Sequence, residues 1–241
     1  MSWFGDIFSK SKRKSNGGMS LEDFKKLTEE EVKALNKKNK ERLIKEFSLD
    51  NYQPSEPRKG ISGIENIGNT CFMGSALQCL SNIEYLTQFM LNLEWVNDIN
   101  TLNSLGCQGR MVCEYYHLLR KLWIKKEKYV SPKMIKKQIQ KSFDQFAGYE
   151  QQDSQEFLGH FLDMLHEDLN KVLRKPYISS KDYEGQSLEQ FGKENWQIHR
   201  KRENSMISKM YSCCVNKREF ILWTNDFEIT VHEVQTHESC D

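Results

Sequence analysis

"GNTCFMGSALQCL", residues 68–80, passes from a polar turn into a run with helical spacing and carries a cysteine at the junction. Phe72, Ala76, Cys79, Leu80 and Ile83 recur on a 3.6-residue period, which predicts a helix over 71–83 with that side buried. Cys71 would then stand in the first turn. Unpaired backbone N–H groups and the positive end of the helix dipole favour thiolate over thiol there. Asn69 and Thr70 are the candidate caps. On these residues alone two readings of Cys71 are open: a nucleophile, or the small buried hydrophobe that most free cysteines are.

Outward from this stretch, the chain from Gly60 onward consists of apolar-periodic segments separated by short turns. In "RMVCEYYHLLRKLW" (110–123), Met111, Val112, Tyr115, Tyr116, Leu119 and Trp123 share one helical side. Ser131 and Pro132 supply an N-cap and an N1 proline for a helix through Ile135, Ile139 and Phe146. Residues 154–172 place Phe157, Leu158, Phe161, Leu162, Leu165, Leu169 and Val172 on one stripe. Strand signals come late: "REFILWTNDFEITVHEV" (218–234) has β-branched and aromatic residues in partly alternating order, which suits a strand or hairpin. The pattern predicts an α+β chain, mostly helical with few strands. No repeat or low-complexity segment stands out.

Composition narrows the function classes. The 241 residues are 29% charged, yet the charges nearly cancel to +1, so no general attraction to nucleic acid follows. No stretch reaches the roughly 18 uninterrupted apolar residues of a membrane span, and "MSWFGDIFSKSKRKSN" lacks the apolar core of a secretory signal. Seven cysteines, an odd number, suggest free thiols in a reducing compartment. The expectation is an intracellular protein of the cytoplasm or nucleus.

Residues 1–59 have a different texture and read as a polar, partly helical extension and linker. Trp3, Phe4, Ile7 and Phe8 on one helical face, followed by Lys10, Lys12, Arg13 and Lys14, suit an anionic membrane surface or a nuclear import signal. For a stretch this short a frayed basic terminus is the preferred reading. "TEEEVKALNKKNKERLIKEF" (28–47) opens with a capping-box pattern at Thr28 and Glu31 and alternates charge, which predicts a solvated helix. "DNYQPSEPRKG" (50–60) has linker composition, so a domain boundary is expected near Gly60.

Two further features bear on Cys71. Asn66, five residues earlier, offers a side-chain amide suited to an oxyanion, although "ENIGN" (65–69) has ordinary turn chemistry as well. Downstream, "GYEQQDSQEFLGHFLDMLHEDLN" (148–170) sets Asp153 and Glu156 just ahead of an apolar stripe. Asp at an N-cap with Glu at N3 also makes a capping box.

These residues carry a family resemblance. "GISGIENIGNTCFMGSALQCL" (60–80) resembles the cysteine box of ubiquitin-specific proteases, and residues 148–170 resemble that family's glutamine-glutamine-aspartate segment. "KPY" (175–177) and "NWQIHRKRENSMIS" (195–208) are similar to the continuation in its larger multidomain members. The resemblance implies a papain-like cysteine peptidase fold over about 60–210, chiefly its helical thumb half, followed by a divergent tail at 211–241. It implies a thiol-dependent deubiquitinase whose partners are ubiquitin and ubiquitinated proteins. Cys71 would be the nucleophile that forms a thioester with the C-terminal glycine of ubiquitin. Asn66 would join backbone N–H groups in the oxyanion hole, and Asp153 and Glu156 would bind the basic ubiquitin tail. Gln78 and Gln152 would be structural or substrate-lining.

Departures from the family pattern are also legible. Phe72 stands where tyrosine is commoner and Gly74 where asparagine is usual. The family's histidine box, a glycine-histidine-tyrosine tripeptide, does not occur. His117, His160, His166 and His199 fall in or beside the matched segments at other positions, and His232 and His237 lack the motif. The expectation is an incomplete catalytic set, with an inactive ubiquitin-binding or regulatory fragment as the alternative. Adjacent Cys213 and Cys214, with only Cys240 beyond, lack the spacing of a tetrahedral zinc site, so no metal or other cofactor is expected. A thumb alone would also expose apolar surface.

Overall fold

The computed structural model describes residues 21–49, 61–125, 127–178, 187–211, 221–223 and 228–230. The aromatic and basic N-terminus, the 50–60 linker, Cys213, Cys214, Cys240, His232 and His237 lie outside the described residues. The chain divides into two compact units, residues 1–173 and 174–241.

The first unit starts with α1 (Leu21–Lys26) and α2 (Glu29–Glu46). The Thr28 backbone N–H donates to the Glu31 carboxylate at 2.7 Å and the Glu31 N–H to the Thr28 hydroxyl at 3.3 Å, forming the expected capping box. The reading of α2 as a solvated helix is corrected. Val32, Asn36 and Leu43 are buried, a stripe too thin to stand out among alternating charges. Asn36 donates to the Ile99 carbonyl at 3.0 Å and accepts from the Thr101 N–H and hydroxyl at 2.8 Å each. A forked Arg110–Glu46 pair at 2.6 and 2.9 Å adds a polar tie at the surface. The compact unit therefore reaches back past Gly60, and α2 packs on the residues that follow it.

Next come β1 (Gly63–Ile64), α3 (Cys71–Ser81), α4 (Glu84–Leu91), a 3₁₀ turn at Glu94–Asp98, α5 (Arg110–Trp123), β2 (Tyr129–Val130), α6 (Lys133–Ile139), a 3₁₀ turn at Asp144–Phe146 and α7 (Ser154–Asp168). β1 and β2 pair in parallel, Gly63 beside Tyr129 and Ile64 beside Val130. α5 is the central helix, packed against α4, α6 and α7. Its burial extends well beyond the one expected side and includes Cys113, Glu114, Leu118 and Leu122. Burial pushes the Cys113 thiol far up, so it stays protonated and inert.

α3 lies against α7 and α4. Its buried stripe is Phe72, Met73, Ala76, Leu77 and Leu80, whereas Cys79, expected inside, is exposed. The true apolar stripe is rotated by about one residue from the predicted one. α6 begins at Lys133 with Pro132 at its N-cap, so Ser131 does not cap it, and Phe146 lies in the following 3₁₀ turn. Gly74 is helical, and a Cβ there would meet only the Ile64 side chain, at 4.0 Å. Gly74→Ala is accordingly expected to add about 0.5–1 kcal/mol of stability, read as a rise in melting temperature.

The second unit holds α8 (Leu188–Arg202), α9 (Met206–Tyr211), β3 (Ile221–Trp223) and β4 (Glu228–Thr230). The Ser187 hydroxyl caps α8 through the Gln190 N–H at 3.2 Å, and Lys175 pairs with Glu203 at 2.9 Å. β3 and β4 pair antiparallel, as the late hairpin reading anticipates. The architecture is α+β, mostly helical with few strands. Among the described residues no helix is long and apolar enough to cross a membrane.

Candidate active site

The chain turns sharply into α3 because two successive residues adopt left-handed backbone, Gly68 at φ 110° and Asn69 at φ 49°. Asn66 holds this turn through its amide oxygen, which accepts from the Gly68 N–H at 3.2 Å, the Thr70 N–H at 3.0 Å and the Thr70 hydroxyl at 3.2 Å. The Thr70 oxygen in turn accepts from the Ile67 N–H at 3.0 Å. With its oxygen fixed inward, the Asn66 NH₂ group is the part left to donate, and the residue is exposed. The oxyanion and turn readings of Asn66 are compatible, since they use opposite ends of one amide.

Neither expected cap closes α3. Thr70 is the N-cap residue, but its hydroxyl bonds back into the loop, and Asn69 donates instead to the Tyr149 carbonyl at 2.9 Å. Among the described residues, none accepts from the N–H groups of Cys71, Phe72 or Met73. Cys71, the first residue of α3, is an exposed free thiol at this uncapped end. The buried-cysteine reading is therefore set aside.

The next residue anchors the helix. Phe72 is buried with its ring centroid 5.7 Å from Phe157 and 5.9 Å from Phe146. Phe157 continues into Phe161 at 5.8 Å and Phe161 into Tyr115 at 5.2 Å. An apolar pocket built of rings suits phenylalanine at 72, which brings no hydroxyl to satisfy. Through this chain of rings the first turn of α3 is fixed to α7 and α5.

α7 carries the two carboxylates. Asp153 is its N-cap, accepting from the Gln155 N–H at 2.6 Å and the Glu156 N–H at 3.3 Å through one oxygen. The reciprocal arm of a capping box is absent: the Glu156 carboxylate lies 4.0 Å from His160 Nε2, one turn on. Both acidic residues are exposed. His160 is buried, its ring centroid 3.9 Å from Phe143, and its Nδ1 has no hydrogen-bond partner among the described residues. Burial lowers its pKa against the opposing pull of Glu156, so the ring is neutral near pH 7. His117, stacked on Phe47 at 5.8 Å, is likewise lowered by burial. Gln78 and Gln152 are both half-buried.

The sequence reading missed Gly68, Tyr149 and Lys136, which help hold this arrangement in place, and it gave Thr70 only the role of a cap. The Gly68–Asn69 dipeptide is a turn signal that could have marked Gly68. Nothing local marks Tyr149 and Lys136, because their partners are distant in sequence.

Residues 62–222 match the family described as "Ubiquitin carboxyl-terminal hydrolase". The chain is 43% identical to "Ubiquitin carboxyl-terminal hydrolase 15" of Homo sapiens over 166 residues, covering 67% of this chain and 17% of that protein. It is 45% identical to "Ubiquitin carboxyl-terminal hydrolase 4" of Mus musculus over 157 residues, covering 64% of this chain and 16% of that one. It thus spans about a sixth of the length of these relatives. Among solved structures, a SAGA Ubp8/Sgf11/Sus1/Sgf73 DUB module bound to ubiquitin aldehyde aligns with 25% identity and a TM-score of 0.40. That alignment covers 48% of this chain and 26% of the other.

Proposed function

The chain belongs to the ubiquitin carboxyl-terminal hydrolase family, and from that premise we propose that it is the Cys71-bearing thumb part of a papain-like, thiol-dependent deubiquitinase. The partners in this reading are ubiquitin and ubiquitinated proteins. The Cys71 sulfur attacks the carbonyl carbon of the C-terminal glycine of ubiquitin. The C–N bond to the substrate amine breaks, the amine leaves with a proton, and water then hydrolyses the thioester. Asn66 and the first-turn N–H groups of α3 stabilise the oxyanion. Asp153 and Glu156 hold the basic tail by charge-assisted hydrogen bonds, and Asp153 can do so while capping α7 because its second oxygen is not used by the cap. The base for this reaction is assigned to none of the described histidines.

The observation that supports this reading most is the exposed Cys71 at an uncapped helix start, beside an Asn66 amide whose oxygen is fixed and whose NH₂ remains to donate. The test uses ubiquitin carrying a C-terminal electrophile, with the labelled peptide identified by mass spectrometry. Cys71 is expected to react, while Cys79, also exposed on α3, serves as the internal control. Asp153→Asn and Glu156→Gln should each weaken ubiquitin binding about tenfold without lowering the melting temperature, since Asn keeps an N-cap oxygen. Equal labelling of both cysteines would overturn the reading. Binding retained without any labelling would leave a ubiquitin-binding piece rather than a reactive one.

A further inference from the structure

Tyr149 is 71% exposed, yet it makes three specific ties. Its ring lies so close to Gly68 that a Cβ on Gly68 would fall 2.8 Å from Cδ1 and 3.1 Å from Cε1. Its carbonyl accepts from the Asn69 side chain at 2.9 Å. The Lys136 ammonium sits over the ring, 4.7 Å from the centroid, while donating to the neighbouring Gly148 carbonyl at 3.0 Å. Tyr149 thus touches the left-handed turn that carries Asn66 and Cys71, is held by α6, and lies four residues before Asp153.

We propose that Tyr149 is a positioning residue: its ring is the wedge that fixes the 66–70 turn, and so sets Cys71 and the Asn66 amide relative to Asp153 and Glu156. This rests on the catalytic reading above. A side chain this exposed gains little from hydrophobic burial, so core packing does not explain where the ring sits. Gly68 does. Glycine has the widest backbone freedom of any residue, and here any other side chain would be strained at φ 110° and would have to displace the Tyr149 ring. A turn built on such a residue needs an outside support to stay in one conformation. The Lys136 ammonium over the ring holds that support in place.

Tyr149→Ala removes the wedge but keeps the backbone carbonyl that Asn69 uses. It is expected to slow covalent capture of ubiquitin bearing a C-terminal electrophile by about tenfold, because small displacements of reacting groups are costly. Affinity for unmodified ubiquitin and the melting temperature should stay at the wild-type values. Tyr149→Phe, which retains the ring and the ammonium contact, should restore the rate. In a second measurement that needs no ubiquitin, amide hydrogen exchange at Ile67, Gly68 and Thr70 should quicken in Tyr149→Ala and return to normal in Tyr149→Phe, with α7 unaffected. Wild-type exchange at those amides in Tyr149→Ala would overturn the proposal, and so would capture at the wild-type rate. Failure of the wild-type chain to bind or capture ubiquitin would overturn the catalytic reading, leaving the exchange result to decide the role of Tyr149.

Discussion

Asp168→Ala is expected to remove about 4 kcal/mol from the stability of the first unit, through the loss of one fully buried acceptor that serves several backbone donors. α5 begins after Gly109, which has no side chain with which to cap the helix. Asp168, the last residue of α7, takes over that task from across the core. It accepts from the Cys107 N–H at 2.6 Å, the Met111 N–H at 2.9 Å and the Val112 N–H at 3.4 Å. Its backbone carbonyl also accepts from the Asn100 N–H at 2.8 Å. The carboxylate comes so near the loop that a Cβ on Gly106 would lie 2.8 Å from Oδ1. Alanine would leave these donors dry and unpaired at the start of the most buried helix. Urea unfolding reads the loss as a lower midpoint with an unchanged slope; a shift under 1 kcal/mol, on the order of an exposed cap, would show that water replaces the carboxylate.

The same group makes the cost depend on pH. Burial pushes the Asp168 carboxyl up to about 6 from an ordinary 3.8, against the pull of the backbone N–H groups. Between those values the native state holds the proton better than the unfolded chain, so the stabilisation from Asp168 is full below about pH 4 and declines as pH rises through about 6. The penalty of Asp168→Ala is therefore larger near pH 4 than near pH 7. His117 and His160, lowered by burial, work in the opposite sense, losing stability as pH falls below about 6.5. Taking the difference between variant and wild type at each pH removes their share. A penalty that grew with pH would mean that the hydrogen bonds outweigh burial at this carboxylate.

Asp168 also illustrates which features were legible in the sequence. That α3, α5 and α7 are helices follows from periodicity, though α3 is turned by about one residue and α5 is buried beyond one side, and the Thr28–Glu31 box follows from its motif, because these signals are complete within one element. Cys71, Asn66, Asp153 and Glu156 stood out through residue type and motif. Features made by two distant segments did not. Asn36 looked like one more polar residue on a charged helix until Ile99 and Thr101 supplied its partners. Nothing local marks Asp168 either, because the N–H donors that need it as an acceptor, those of Cys107, Met111 and Val112, lie in a distant segment. The burial of Glu114, which Gln138 offsets by a hydrogen bond while desolvation raises its pKa, belongs to the same class. Local pattern identifies the elements and the candidate site residues; the buried polar groups that lock the elements together depend on tertiary context.

Asn66→Asp should separate the two ends of the Asn66 amide. The carboxylate keeps an oxygen where the amide oxygen accepts from Gly68 and Thr70, so the turn and the melting temperature should survive. What the substitution deletes is the pair of N–H donors, and it adds negative charge where negative charge would develop on the substrate oxygen. Removing one oxyanion donor typically costs 10²–10³ in rate, and like-charge repulsion adds to it, so a loss on the order of 1,000-fold is expected. Ubiquitin aldehyde is the sharpest probe, because its adduct with Cys71 places a tetrahedral oxygen at the position in question and needs no leaving group to be protonated. Capture of the aldehyde should collapse in Asn66→Asp, while binding of unmodified ubiquitin, which has no such oxygen, should not change. Asn66→Ala makes the complementary case: it loses the donors and the turn acceptor together, so it should lower both capture and the melting temperature. If Asn66→Asp instead captured the aldehyde as well as the wild type, Asn66 would be a turn residue alone, and the oxyanion would fall to the unpaired N–H groups at the start of α3.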